Sequence, residues 1–148
     1  MLQGWRANSD TGNYIFNDVT KTTDDCIEKC RQAWDCRLVT FNLNEKRCWG
    51  MASTVSVRFS RDPAHVLLAD SAKVFVKKTG TMYAGNNIMV GNQRAADDTW
   101  DDVICMTLCH IHPRCNVIDY NTVIGWCRLK EKYALNPKMD SAHISYIS

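Results

Sequence analysis

The chain has 148 residues, with 18 lysines and arginines against 16 acidic residues, and eight cysteines. That balance leaves no basic field for nucleic acid or an anionic membrane surface, and no apolar run approaches the roughly 20 residues that span a bilayer. A soluble chain of one ordinary domain or two small ones is expected, with no nucleic-acid partner and no membrane insertion.

In chain order, "MLQGWRANSDTG" at the start has neither the basic opening nor the apolar stretch of a secretory signal. The first predicted element is a helix in "TKTTDDCIEKCRQAW", residues 20–34, where polar residues able to cap precede two acids and where Cys26, Ile27, Cys30, Ala33 and Trp34 keep helical spacing. "RLVTFNLN" then reads as a strand that turns back as a hairpin to Cys48, and "VSVRF" and "AKVFVK" read as two more strands. After a short "KKTGTM" connection at residues 77–82, a second helix is predicted in "TWDDVICMTLCHIHP", with Thr99 and Asp102 as a capping pair and Pro113 at its end. "NVIDYNTV" forms a second hairpin to Cys127, and "HISYI" a last strand.

These elements repeat. "CIEKCRQAWDCRLVTFNLNEKRC" at 26–48 returns as "CMTLCHIHPRCNVIDYNTVIGWC" at 105–127, with C-x3-C-x5-C-x11-C spacing and a constant offset of 79 residues. Phe41-Asn42 falls on Tyr120-Asn121, and Leu38-Val39 on Val117-Ile118. The halves also close alike, "SAKVFVKK" answering "SAHISYIS", which leaves nine extra residues in copy one, within 53–70, read as a surface loop. The expected architecture is α+β: two tandem modules, residues 1–79 and 80–148, each one helix packed on a small antiparallel sheet.

A half-chain of this size buries little apolar surface, and small extracellular domains compensate with disulfides. Cysteines at i and i+4 on a helix point the same way and must bond elsewhere, so two pairings stay open per copy: Cys26 to Cys48 with Cys30 to Cys36, or Cys26 to Cys36 with Cys30 to Cys48. A zinc cage commonly uses CxxC knuckles, which this spacing lacks, and a reactive thiol needs one activated sulfur rather than four duplicated ones.

A helix with a CxxxC pair, a hairpin bearing the third and fourth cysteines, and an aromatic-Asn on its strand resemble the PAN/apple family in both copies. The resemblance is to the minimal type, because no cysteines remain for the disulfide that ties the ends of apple domains together. It implies nested pairing, Cys26–Cys48 with Cys30–Cys36 and Cys105–Cys127 with Cys109–Cys115. It also implies a non-catalytic module that binds proteins or carbohydrates outside cells, without a cofactor.

Some heparin-binding members of that family carry basic residues on this helix and the strand before it, a part that Lys21, Lys29 and Arg31 are candidates to play. The segment "RFSRDPAH", residues 58–65, is the second candidate contact surface, as a loop specific to copy one, with Arg58, Phe59, Arg61 and His65. The tryptophans are expected mainly in the core, His110 and His112 at a helix end rather than on a metal, and the aspartates at 97, 98, 101 and 102 at a helix start rather than on Ca²⁺. No Ser-His-Asp, paired-carboxylate or phosphate-loop constellation stands out, so no enzyme is expected.

Disulfides need an oxidising compartment. The start at Met1 is expected to reflect either a signal replaced for expression or a protein oxidised after release from a cytoplasm, and the eleven asparagines include no N-glycosylation sequon. The expected function is an extracellular binding or adhesion protein for a protein or glycan. The alternative is a structural or attachment subunit of a viral (phage) particle or another extracellular assembly.

Overall fold

A computed structural model gives the fold and describes residues 1–9, 12, 14–52, 57–69, 73, 75–84, 87–90, 93–131 and 136–148. The chain forms two compact units, Met1–Ser71 and Ala72–Ser148. They divide eight residues before the boundary placed from the sequence, because the strand at residues 76–84 crosses position 79/80 unbroken.

The first unit contains β1 (Leu2–Ser9), β2 (Phe16–Val19), α1 (Thr23–Gln32), β3 (Cys36–Asn42), β4 (Arg47–Ala52) and β5 (Val57–Ala69). Its antiparallel sheet runs β1-β5-β3-β4-β2. The second unit contains β6 (Val76–Ala84), β7 (Met89–Val90), β8 (Gln93–Arg94), α2 (Asp102–Ile111), β9 (Val117–Asn121), β10 (Cys127–Lys130) and β11 (Asn136–Ile147). Its main sheet is β6-β11-β9-β10, the same order as β1-β5-β3-β4, and β7 pairs with β8 apart from it.

Each helix starts where a side chain accepts its free N–H groups. Thr22 Oγ1 accepts from Asp25 N at 3.1 Å. In α2 the cap is Asp101, whose Oδ1 accepts from Val103 N at 2.8 Å and Ile104 N at 3.0 Å. Thr99, expected as the cap, instead donates to the Asp101 carbonyl at 2.8 Å and stands two residues before the cap position. Cys26, Ile27 and Cys30 of α1 pack on Val39, Phe41, Val66 and Leu68 of the sheet.

Of the two pairings the helices leave open, the structure has the nested one: Cys26–Cys48, Cys30–Cys36, Cys105–Cys127 and Cys109–Cys115. The aromatic-Asn motif builds the hairpin that carries the fourth cysteine. Asn42 Oδ1 accepts from Asn44 N and Glu45 N, each at 2.9 Å, and Asn121 Oδ1 from Val123 N at 2.9 Å and Ile124 N at 3.2 Å. Those side-chain turns fix where each strand reverses.

Two sequence expectations change. The segment 58–65 is not a loop but the first part of β5, and "KKTGTM" is not a connection but the middle of β6. Strand pairing then aligns the copies differently at their ends. Asn42 faces His65 and Asn121 faces His143, so "AHVLLA" at 64–69, and not "SAKVFVKK", is the counterpart of "AHISYI". Copy one therefore has one extra residue before this strand rather than nine. The parts of 53–70 and 71–78 that fall at 53–56, 70–72 and 74 lie outside the described residues.

Candidate functional site

The realigned strands share a local device. In β5, Asp62-Pro63-Ala64-His65 stands opposite Gly4 where the register with β1 shifts, and in β11, Asp140-Ser141-Ala142-His143 stands opposite Gly80 where the register with β6 shifts. Both glycines adopt positive φ, 85° and 74°, a conformation open to glycine at little cost. Asp62 Oδ1 accepts from Ala64 N at 3.0 Å and Asp140 Oδ1 from Ala142 N at 2.9 Å. The other carboxylate oxygen approaches the histidine Nδ1, at 3.1 Å in Asp62–His65 and 3.2 Å in Asp140–His143. The Ala64 and Ala142 amides, with the histidines beside them, hold both aspartates below the usual carboxylate range.

Each bulge aims its histidine at the sheet face turned away from the helix, and there the two units differ. At matching register positions the first unit has Thr40, Trp49, Met51 and Leu67, while the second has Asp119, Arg128, Lys130 and Ser145. In the first unit Trp49 lies against His65, ring centroids 5.9 Å apart, and Thr40 Oγ1 accepts from Ala7 N at 3.4 Å. In the second unit the same face opens into a cleft of about 370 Å³ lined by Asn87, Asp119, Trp126, Arg128, Lys130 and His143 among others.

Asp119 is 4% exposed. Its Oδ2 lies 3.9 Å from His143 Nε2, while its Oδ1 is buried and has no hydrogen-bond partner, as is Asn87 Oδ1 across the cleft. Burial pushes the Asp119 carboxyl up, against the opposing pull of His143, Lys130 and Arg128. Burial pushes Lys130 down, with Asp119 opposing it. At the cleft's edge the Trp126 ring meets two guanidinium groups, Arg128 at 4.5 Å and Arg94 at 5.4 Å, and Arg94 is paired to Asp98 at 3.1 Å. Two unmatched acceptors, two cations and an indole around one cleft suit a neutral, hydroxyl-rich ligand.

The residues picked from the sequence are dispersed over α1 with its lead-in and over β5. Lys21 is exposed. Lys29 pairs with Asp18 and lies 5.4 Å over the Phe16 ring, and Arg31 pairs with Glu28 at 3.5 Å. Arg58 is half-buried on β5, and Arg61 lies 5.0 Å over Trp5. Phe59 is fully buried and His65 nearly so, which removes both from a contact surface; their burial follows from the segment being a strand. The tryptophan expectation also fails, because only Trp5 is buried while Trp34 and Trp100 are exposed. His112 is buried at the end of α2, its Nδ1 accepting from Arg114 N at 3.1 Å.

Reading the copies against each other carries a signal for the missed site. At positions where copy one has the uncharged Thr40 and Met51, copy two puts Asp119 and Lys130, two charges where the first copy has none.

The PAN domain family model matches residues 7–87, and the chain belongs to that family. Its fold is similar to the two N-terminal apple domains of microneme protein 4 from Toxoplasma gondii, with 15% identity, a TM-score of 0.55, and 98% of this chain and 86% of that one covered. No curated protein matches the chain. PAN and apple domains are typically extracellular modules that bind proteins or carbohydrates, and generally are not catalysts. Four disulfides fit such an oxidising setting. Among the described residues no helix is long and apolar enough to cross a membrane.

Proposed function

We propose that the chain is a non-catalytic extracellular binding protein made of two PAN modules, of which the second, residues 72–148, holds a carbohydrate in the cleft between Asn87, Asp119, Trp126 and His143. The observation that carries this reading is the pair of buried acceptor atoms, Asp119 Oδ1 and Asn87 Oδ1, left without hydrogen-bond partners beside the cleft. A buried acceptor without a donor costs about 1–3 kcal/mol, and sugar hydroxyls arriving as donors would recover it. Lys130 and Arg128 supply donors to the sugar's own oxygens, and a volume near the small end of ligand pockets, roughly 300–1,000 Å³, suits one or two sugar rings.

A hydrolytic reading has less support. Ser145, the hydroxyl on the strand beside Asp119, is fully buried and donates to the Thr81 carbonyl at 2.6 Å. No feature of the fold favours the particle-subunit alternative.

The test is a glycan array followed by calorimetric titration of the best ligand into the wild type and into Asp119→Asn. Binding that falls about tenfold or more in the variant supports the cleft. An empty array, or a variant that binds as well as the wild type, removes it.

A further inference from the structure

The disulfide loops that follow α1 and α2, at the C-terminal ends of the two helices, differ in what occupies them. In the second unit the Cys109–Cys115 loop is filled. Lys73 Nζ donates to the carbonyls of Cys109 at 3.1 Å, His112, and Cys115 at 2.8 Å. Carbonyls at a helix end carry the negative pole of the helix, and three acceptors converging on a point match the three N–H groups of an ammonium better than a planar guanidinium. The His112 carbonyl also accepts from Cys115 N at 3.3 Å, so that oxygen serves the loop and the ammonium together.

The first unit has the same loop, closed by Cys30–Cys36. Cys30, Ala33 and Cys36 are the counterparts of Cys109, His112 and Cys115, and two internal bonds match: Ala33 N donates to Lys29 O at 3.1 Å as His112 N does to Leu108 O at 2.9 Å, and Cys36 N donates to Ala33 O at 3.5 Å. Here those three residues line an open cleft of about 290 Å³ together with Arg31, Trp34, Asp35 and Arg37. Trp34 is 91% exposed, an indole face available to a cation. The two arginines at the rim are matched by carboxylates, Arg31 by Glu28 at 3.5 Å and Arg37 by Asp35 at 3.7 Å, so a further cation is not simply repelled.

We propose that this cleft at the end of α1 receives a lysine ammonium carried by an extended segment of a partner protein, the part that Lys73 plays within the second unit. The site is separate from the carbohydrate cleft and stands or falls independently of it.

The probe is an acetylated, amidated peptide of residues 73–76, KVFV, titrated into the full, disulfide-intact, 15N-labelled chain at moderate salt. The expected result is saturable shifts of the Trp34 indole and of the amides at 31–37. Affinity should fall about tenfold or more for the Lys73→Gln peptide, as for loss of hydrogen bonds to a charged group, and fall also for the Lys73→Arg peptide. Trp34→Ala and Asp35→Asn in the protein should each weaken binding. Trp34 is a surface side chain, and Asp35 has a φ of 59° that asparagine accepts, so both variants should fold. Absence of shifts at millimolar peptide, shifts placed only elsewhere, or equal binding of the Lys73→Gln peptide would overturn the proposal.

Discussion

Under the proposed sugar binding, Asp119 sets stability against affinity in one carboxyl group. Burial raises it, so its ionised form costs folding free energy near neutrality, and stability increases as the pH falls through its folded value. Asp119→Asn is therefore expected to melt higher than the wild type at pH 7 while losing glycan affinity, and the gain should shrink at pH low enough to protonate the wild-type group. Thermal unfolding at the two pH values checks it. Asp62 and Asp140 have the opposite sign. Held down by the Ala64 and Ala142 amides, they add stability above about pH 4, the unfolded carboxylate range, and that stability drains away as the pH drops through their lower folded values. Alanine at either should flatten the acid limb of a stability profile. Gly125 shows a steric limit instead: with φ 70°, an added Cβ would stand 2.4 Å from the Trp100 ring. Gly125→Ala is expected to cost about 1–2 kcal/mol for the backbone alone, read by chemical denaturation.

At the scale of elements, what was legible was what repeats locally. Both helices follow from cysteines and apolar side chains one turn apart behind capping residues, and both hairpins from short β-branched and aromatic runs that lead into a polar turn, which the structure closes with the side chains of Asn42 and Asn121. Removing the turn device should show it: Asn121→Ala deletes two side-chain hydrogen bonds and is expected to cost about 1–2 kcal/mol, with exchange of the Val123 and Ile124 amides accelerated. Thr22→Ala should cost about 1 kcal/mol through loss of the α1 cap. β5 was misread where it bends. A four-residue bulge opposite one glycine looks, along the sequence, like a Pro-containing loop, because the pairing that makes it a strand comes from β1, more than fifty residues away.

For the whole molecule the eight cysteines set the terms. Each long disulfide joins residues 22 apart, and on the chain-entropy account a loop of that length is worth about 3 kcal/mol. The purified protein should be eight hydrogens lighter than its reduced form and take up no alkylating reagent. Replacing Cys26 and Cys48 by alanine should raise exchange of the α1 and β3 amides by the factor that such a loss implies. A full complement of free thiols would contradict the fold described here.

The repeat, the helix-and-hairpin content of each copy and the disulfide-stapled class were legible in the amino acids alone, because these depend on side-chain spacing along a few turns of chain. Three-dimensional packing was needed to show which cysteine meets which, where the two units divide, and that the cleft proposed for a sugar lies in the second. Asn87, Asp119, Lys130 and His143 come from four separate segments, and although Asp119 and Lys130 stand out when the copies are compared, nothing along the chain places the four together. Strand register brings them onto one face, and it is set by long-range pairing that no local pattern encodes.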